Sequence, residues 1–166
     1  MPTNQEQSPS SESTLQPSPT HQDGLPVVEA FDDGEVLYRR YLLVHFIDRE
    51  LVPQHFQFPR PSFNRSKFSQ PDDVLHPDCC DGRVLGSGWG VLECPASDAR
   101  VSTRSQEDKE LVLHPKHVPR QTCYAHSELW CFESENGMEV KPSSKVRERL
   151  RIKLAKKFNE RIPATA

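Results

Sequence analysis

The sequence predicts an α+β domain, a small and mostly antiparallel sheet with a C-terminal amphipathic helix packed on it, and three stretches predict it. The run CYAHSELWCFE, Cys123 to Glu133, alternates: Tyr124, His126, Glu128, Trp130 and Phe132 fall on one face and Cys123, Ala125, Ser127, Leu129 and Cys131 on the other. VLYRRYLLVHFI, Val36 to Ile47, is rich in aromatic and β-branched residues and opens after the turn-like Asp32-Asp33-Gly34. Near the C-terminus, Val146, Leu150, Leu154 and Phe158 recur at helical spacing behind Ser143 or Ser144 as N-cap, and Pro163 stops the helix at about Arg161.

In chain order, residues 1 to 24 hold one leucine among Ser, Pro, Gln, Thr and Glu. Such a stretch buries too little apolar area to offset roughly 1–2 kcal/mol of backbone entropy per ordered residue, so it reads as a disordered tail. A single domain is expected from 25 to 163. In the first strand, Arg39 and Arg40 point to opposite faces, so one guanidinium must look toward the packed side and find a carboxylate, an anion or a route to water. VPQHFQFPRP, Val52 to Pro61, is proline-punctuated and extended. Ser69-Gln70-Pro71-Asp72 reads as a helix start, with Ser69 as N-cap and Asp72 returning a carboxylate to it. Arg83 to Pro95 reads as a strand in which Gly86, Gly88 and Gly90 leave one face bare, so something must approach that face closely. This G-x-G-x-G lacks the helix start of a dinucleotide fingerprint, and no cofactor is expected. Leu111 to His114 is a further short strand.

Composition narrows the function. Hydrophobic residues make up 34% of the 166 and prolines number 15, a lean composition that fits a small core, long loops or a core completed by a protein partner. No apolar run reaches the roughly 20 residues a membrane span needs, and no secretory pattern opens the chain, so a cytoplasmic protein with no membrane association is expected. Five cysteines, an odd number, fit reduced thiols there better than a disulfide framework. Lys145 to Arg161 carries a local charge of +6 within a chain of net −3. Lys145, Arg149, Lys153 and Lys156 form a basic helix face that nucleic-acid phosphates or an acidic protein surface would fit.

Candidate site residues fall in three groups. Asn64, Arg65, Ser66 and Lys67 pack amide, guanidinium, hydroxyl and ammonium donors ahead of the expected helix start, an arrangement suited to an anion. Arg40, His126 and Glu128 supply an anion-holding arginine, a proton carrier near neutrality and a carboxylate on the same strand face, the residue types that nucleotide or phosphodiester chemistry uses. His114, His117, Cys123 and His126 are zinc-type ligands by residue type, but prolines surround the first pair and no C-x-x-C is present, so no metal is expected.

VLYRR (Val36 to Arg40), SFNRSKFSQPDDVL (Ser62 to Leu75) and CYAHSELW (Cys123 to Trp130), in this order and followed by a basic helix, resemble a family of small bacterial proteins sometimes encoded beside multi-gene conflict or defence systems. The resemblance spans about residues 30 to 162. It implies that Arg40, Arg65 and His126 occupy positions of recurring residue type and that a protein partner is present; it transfers no activity. The expectation from sequence is therefore an accessory binding protein of a cytosolic bacterial multi-protein system, with Arg40, Asn64, Arg65, Ser66, Lys67 and His126 forming a polar anion- or partner-binding site. The alternative is a small nuclease-like or ADP-ribosyltransferase-like enzyme using Arg40, His126 and Glu128.

Overall fold

Strand β1 (Val36–Leu42) sits inside the sheet rather than at its edge, with Leu37 buried and the other six residues half-buried. The computed structural model describes Leu15, Pro19, Thr20, Gln22 and residues 24–162. The expectation for residues 1 to 24 therefore falls mostly outside the described residues; of those described, Leu15 packs beside Cys79, Cys123 and Ala125. After β1 come a small hairpin of β2 (Phe46–Ile47) and β3 (Glu50–Leu51), then β4 (Ser62–Arg65), β5 (Trp89–Pro95), β6 (Ser102–Arg104), β7 (Glu110–His117), β8 (His126–Glu133) and helix α1 (Ser144–Asn159). Six strands form one antiparallel sheet in the order β5-β1-β4-β8-β7-β6. The α+β architecture expected from sequence is the one observed.

Helix α1 packs on one face of that sheet. Ser143 Oγ accepts from the Val146 N–H (3.4 Å), and Val146, Leu150, Leu154 and Phe158 are all buried. They join Leu37, Phe56, Phe63, Leu113, Leu129 and Cys131 in a single core. Phe158 stacks on Phe63 with ring centroids 6.0 Å apart, which ties the last turn of the helix to the middle of the sheet. No helix among the described residues is long and apolar enough to cross a membrane.

Three local expectations are corrected. The helix expected after Ser69 is a 3-10 turn, Pro71–Leu75, and its boundary is Gln70, whose N–H donates to Asp73 Oδ2 (2.7 Å). Ser69 instead donates its hydroxyl to the Arg65 carbonyl (2.9 Å). Proline drives the residue before it into extended backbone, so Gln70 before Pro71 and His76 before Pro77 bracket a segment too short for α-helical turns. The strand expected from Arg83 begins only at Trp89. The close approach expected along its glycines is made at Gly90, where a Cβ would lie 2.5 Å from the Tyr41 ring of the neighbouring strand. Finally, the thiols are not all reduced: Cys79 and Cys123, 44 residues apart, are joined in a disulfide, and Cys80, Cys94 and Cys131 are free and buried.

Candidate anion-binding site

The sheet splits at its centre. Between β1 and β4 only two residue pairs register, Leu37 with Arg65 and Tyr38 with Asn64. Beyond them β1 continues against β5 as far as Leu42, while Ser62 and Phe63 of β4 pair only with β8. Where the strands part, a cavity of about 720 Å³ opens, walled by the fork, by the proline-rich segment 54–60 and by the loop holding Cys79, Asp81 and Arg83. The fork is why Arg39 and Arg40, adjacent in one strand, both line it.

Arg39 bridges the split. Its Nη1 donates to the Ser62 carbonyl (2.5 Å), an acceptor on the other prong of the fork. Its Nη2 donates to the His55 carbonyl (2.9 Å) and its Nε to His55 Nε2 (2.8 Å), with the guanidinium carbon 5.2 Å and 5.3 Å from the ring centroids of Phe56 and Phe63. Arginine can only donate, so His55 Nε2 is the acceptor and the ring's proton is on Nδ1. That proton points at His45 Nδ1, 2.9 Å away, which also accepts from the Leu42 N–H (3.2 Å). A neutral His45 therefore carries its own proton on Nε2. Burial and the Arg39 charge keep both imidazoles neutral, pushing His55 down to about 2 and His45 below its ordinary value. Burial, and then the charge of Arg40, lowers Arg39 to about 9, which leaves it cationic at neutral pH.

Arg40 leans the other way. Its Nη1 donates to the Cys79 carbonyl (2.9 Å) and approaches Cys80 Sγ (3.1 Å), so the loop after the 3-10 turns is gathered around a guanidinium. The disulfide fixes the same loop to the residues leading into β8. Asn64 lies against that bridge, donating Nδ2–H to Cys79 Sγ (3.3 Å). His126, registered opposite Asn64, completes this wall; its Nδ1 is 2.7 Å from the Val118 carbonyl.

The balance of charge is the site's main property. Arg39, Arg40, Arg60, Arg83 and Arg120 line the cavity, and Asp81 is its one carboxylate among the described residues. Asp81 accepts from Arg120 (2.7 Å) and Arg60 pairs with Glu139 (2.7 Å). Among the described residues, no carboxylate comes within 4.0 Å of Arg39, Arg40 or Arg83; carbonyls, a thiol and an imidazole nitrogen hold them instead. Neutral acceptors orient a guanidinium without cancelling its charge.

The donor-rich stretch at 64–67 is dispersed by strand alternation. Asn64 faces the cavity, but Arg65 points into the core, fully buried, where it meets Glu35 and the carbonyls of Glu29 (2.9 Å) and Ala30 (2.7 Å). Ser66 accepts from the Val36 N–H (2.9 Å) and extends the β1–β4 pairing, and Lys67 binds Glu29 at the surface (2.6 Å). Arg40 and His126 thus share a cavity that Arg65 does not reach. Glu128 is held by Trp130 Nε1 (2.9 Å) and does not line it.

The zinc-type residues form no ligand set among the described residues. Cys123 is in the disulfide, and His117 uses Nδ1 for the Glu29 N–H (3.0 Å) and Nε2 for the Tyr124 carbonyl (2.7 Å). His114 packs edge-on against Phe132. On α1, Lys145, Arg149, Lys153 and Lys156 are all exposed, and Arg149 and Lys153 also donate to backbone carbonyls of β6, Arg104 (3.1 Å) and Ser102 (2.5 Å).

The chain matches no protein-family model, no curated protein and no solved structure. The site therefore rests on its own geometry. His45, His55, Arg60, Arg83 and Arg120 join it without having been picked out from the sequence. The available signal was the adjacent pair Arg39-Arg40 in a hydrophobic strand with no acid beside it.

Proposed function

We propose that this protein binds an anionic ligand, one carrying phosphate or carboxylate groups, in the cavity at the fork of its sheet. The observation that carries this reading is the set Arg39, Arg40 and Arg83, gathered in one concavity with no carboxylate partner among the described residues. Cations brought this close repel one another through a medium less polar than water, and a bound anion removes that cost while gaining charge-assisted hydrogen bonds. The cavity's volume also falls within the range of small-molecule sites.

Titration calorimetry with inorganic pyrophosphate tests it. Binding should weaken as salt is raised, and Arg40→Ala should reduce affinity about tenfold or more, the equivalent of about 1–3 kcal/mol for a charged hydrogen bond. The same change removes one nitrogen's contacts, to the Cys79 carbonyl and Cys80 Sγ, from the folded chain, so unfolding should shift by about 1 kcal/mol. Unchanged affinity in Arg40→Ala, or no pyrophosphate binding at low salt, rules the reading out.

A second reading, a nucleotide- or phosphodiester-processing enzyme, is favoured by one further observation. Of the three imidazoles that line the cavity, His55 is engaged by Arg39 and His45, while His45 presents a donor at Nε2 and His126 an acceptor at Nε2. His126 Nε2 suits a general base, and the neutral His45 N–H suits a hydrogen-bond donor to charge that develops on a reacting oxygen. His126→Asn should abolish turnover of a susceptible substrate while leaving pyrophosphate binding in place.

A further inference from the structure

We infer that the ligand of the arginine cavity is a ribonucleotide whose sugar hydroxyl donates to His126 Nε2, an inference that rests on the anion-binding reading and specifies it. The argument begins with one nitrogen. The Val118 carbonyl can only accept, so the His126 proton lies on Nδ1 and Nε2 presents a lone pair. That nitrogen is buried and has no hydrogen-bond partner among the described residues, on a side chain only 4% exposed. Burial, reinforced by the Arg120 charge and opposed by the Val118 hydrogen bond, holds the ring below its ordinary pKa, so Nε2 is an acceptor at neutral pH.

An acceptor of this kind excludes one class of ligand atom. Phosphate oxygens drawn in by Arg39, Arg40 and Arg83 carry lone pairs at neutral pH and cannot satisfy another lone pair. The ligand must therefore bring a donor close to its anionic group. A sugar hydroxyl is the donor that chemistry most often places within a few bonds of a phosphate. The same cavity is lined by the half-buried rings of Phe58 and Trp89 and by the exposed amides of Gln54 and Gln57. An aromatic face with amides beside it is what a nucleobase uses for stacking and edge hydrogen bonds. About 720 Å³ has room for phosphate, sugar and base together.

Calorimetry on the full chain separates the parts. The probes are inorganic pyrophosphate, the four common ribonucleoside diphosphates and their 2′,3′-dideoxy counterparts. At least one ribonucleotide should bind about tenfold or more tightly than pyrophosphate, and its dideoxy counterpart should lose about tenfold, since the buried acceptor is then left unmet. In His126→Leu the ribo and dideoxy forms should become equal in affinity, with pyrophosphate binding retained. The ligand comparison on the unaltered chain stands even if that variant fails to fold. Pyrophosphate binding with no gain for any ribonucleotide, or with equal ribo and dideoxy affinities, overturns the ribonucleotide inference and leaves the anion-binding reading intact. Failure of every probe, pyrophosphate included, overturns both.

Discussion

Arg65 and Arg40 lie on paired strands of one sheet and have opposite fates. Arg65 is fully buried, with Glu35 on Nε and Nη2, the Ala30 carbonyl also on Nη2, the Glu29 carbonyl on Nη1 and the Phe31 ring 3.9 Å from its guanidinium carbon. Arg40 meets a carbonyl and a sulfur, with no carboxylate beside it among the described residues. The difference teaches how to tell a structural arginine from one that serves a ligand. What decides is not depth, since Arg39 is also substantially covered, but whether the fold supplies a carboxylate.

The largest test of that contrast is Arg65→Met. Removing one partner strands Glu35 as a buried charge, so urea denaturation at pH 7 should show a loss of about 3–5 kcal/mol. Burial pushes the Glu35 carboxyl up, but hydrogen bonds from Arg65 and the Asp32 N–H, with the Arg65 charge, outweigh it and hold the group below its ordinary value of 4.5. A lowered carboxylate contributes stability that is present above about pH 4.5 and is lost as pH falls through the folded value. The gap between wild type and variant should therefore narrow below pH 4.5. A loss under 1 kcal/mol at pH 7 would show that the pair is incidental.

Next in size is the bridge that holds the cavity wall. Reducing Cys79–Cys123 opens a 44-residue loop and should lower stability by about 2–4 kcal/mol, measured by urea denaturation with and without dithiothreitol. Pyrophosphate affinity should fall as well, because the wall around Arg40 is then tethered by fewer contacts. Equal affinity in both states would detach the bridge from the site.

The smallest effect should come from Arg60→Ala. Arg60 lines the cavity yet has a carboxylate, Glu139, in an ion pair about half exposed to water. Stability should change by less than about 1 kcal/mol, and pyrophosphate affinity should fall less than in Arg40→Ala. A larger binding loss at Arg60 than at Arg40 would break the rule drawn from the comparison.

Much of this fold is written locally. The stripe Val146-Leu150-Leu154-Phe158 behind Ser143, and the alternation through β8, each need only neighbouring residues to be read, and both hold in the structure. The site is written at long range. Arg65 reads as a free donor until Glu35, 30 residues earlier, is seen to meet it, and the Cys79–Cys123 bridge spans 44 residues with no pattern to announce it. His45 and His55 gain their meaning only from Arg39, whose orientation depends on where two strands part. Strand registers that end early leave no trace in hydrophobic periodicity.

The contacts of Arg149 and Lys153 with β6 carry one more consequence. β6 is the last strand of its sheet, and an outer strand with open carbonyls invites a strand from another molecule. Here the helix reaches across and occupies the carbonyls of Ser102 and Arg104 with charged side chains. Part of the basic face that would suit nucleic acid thereby covers two carbonyls that an added strand would need at that margin of the sheet.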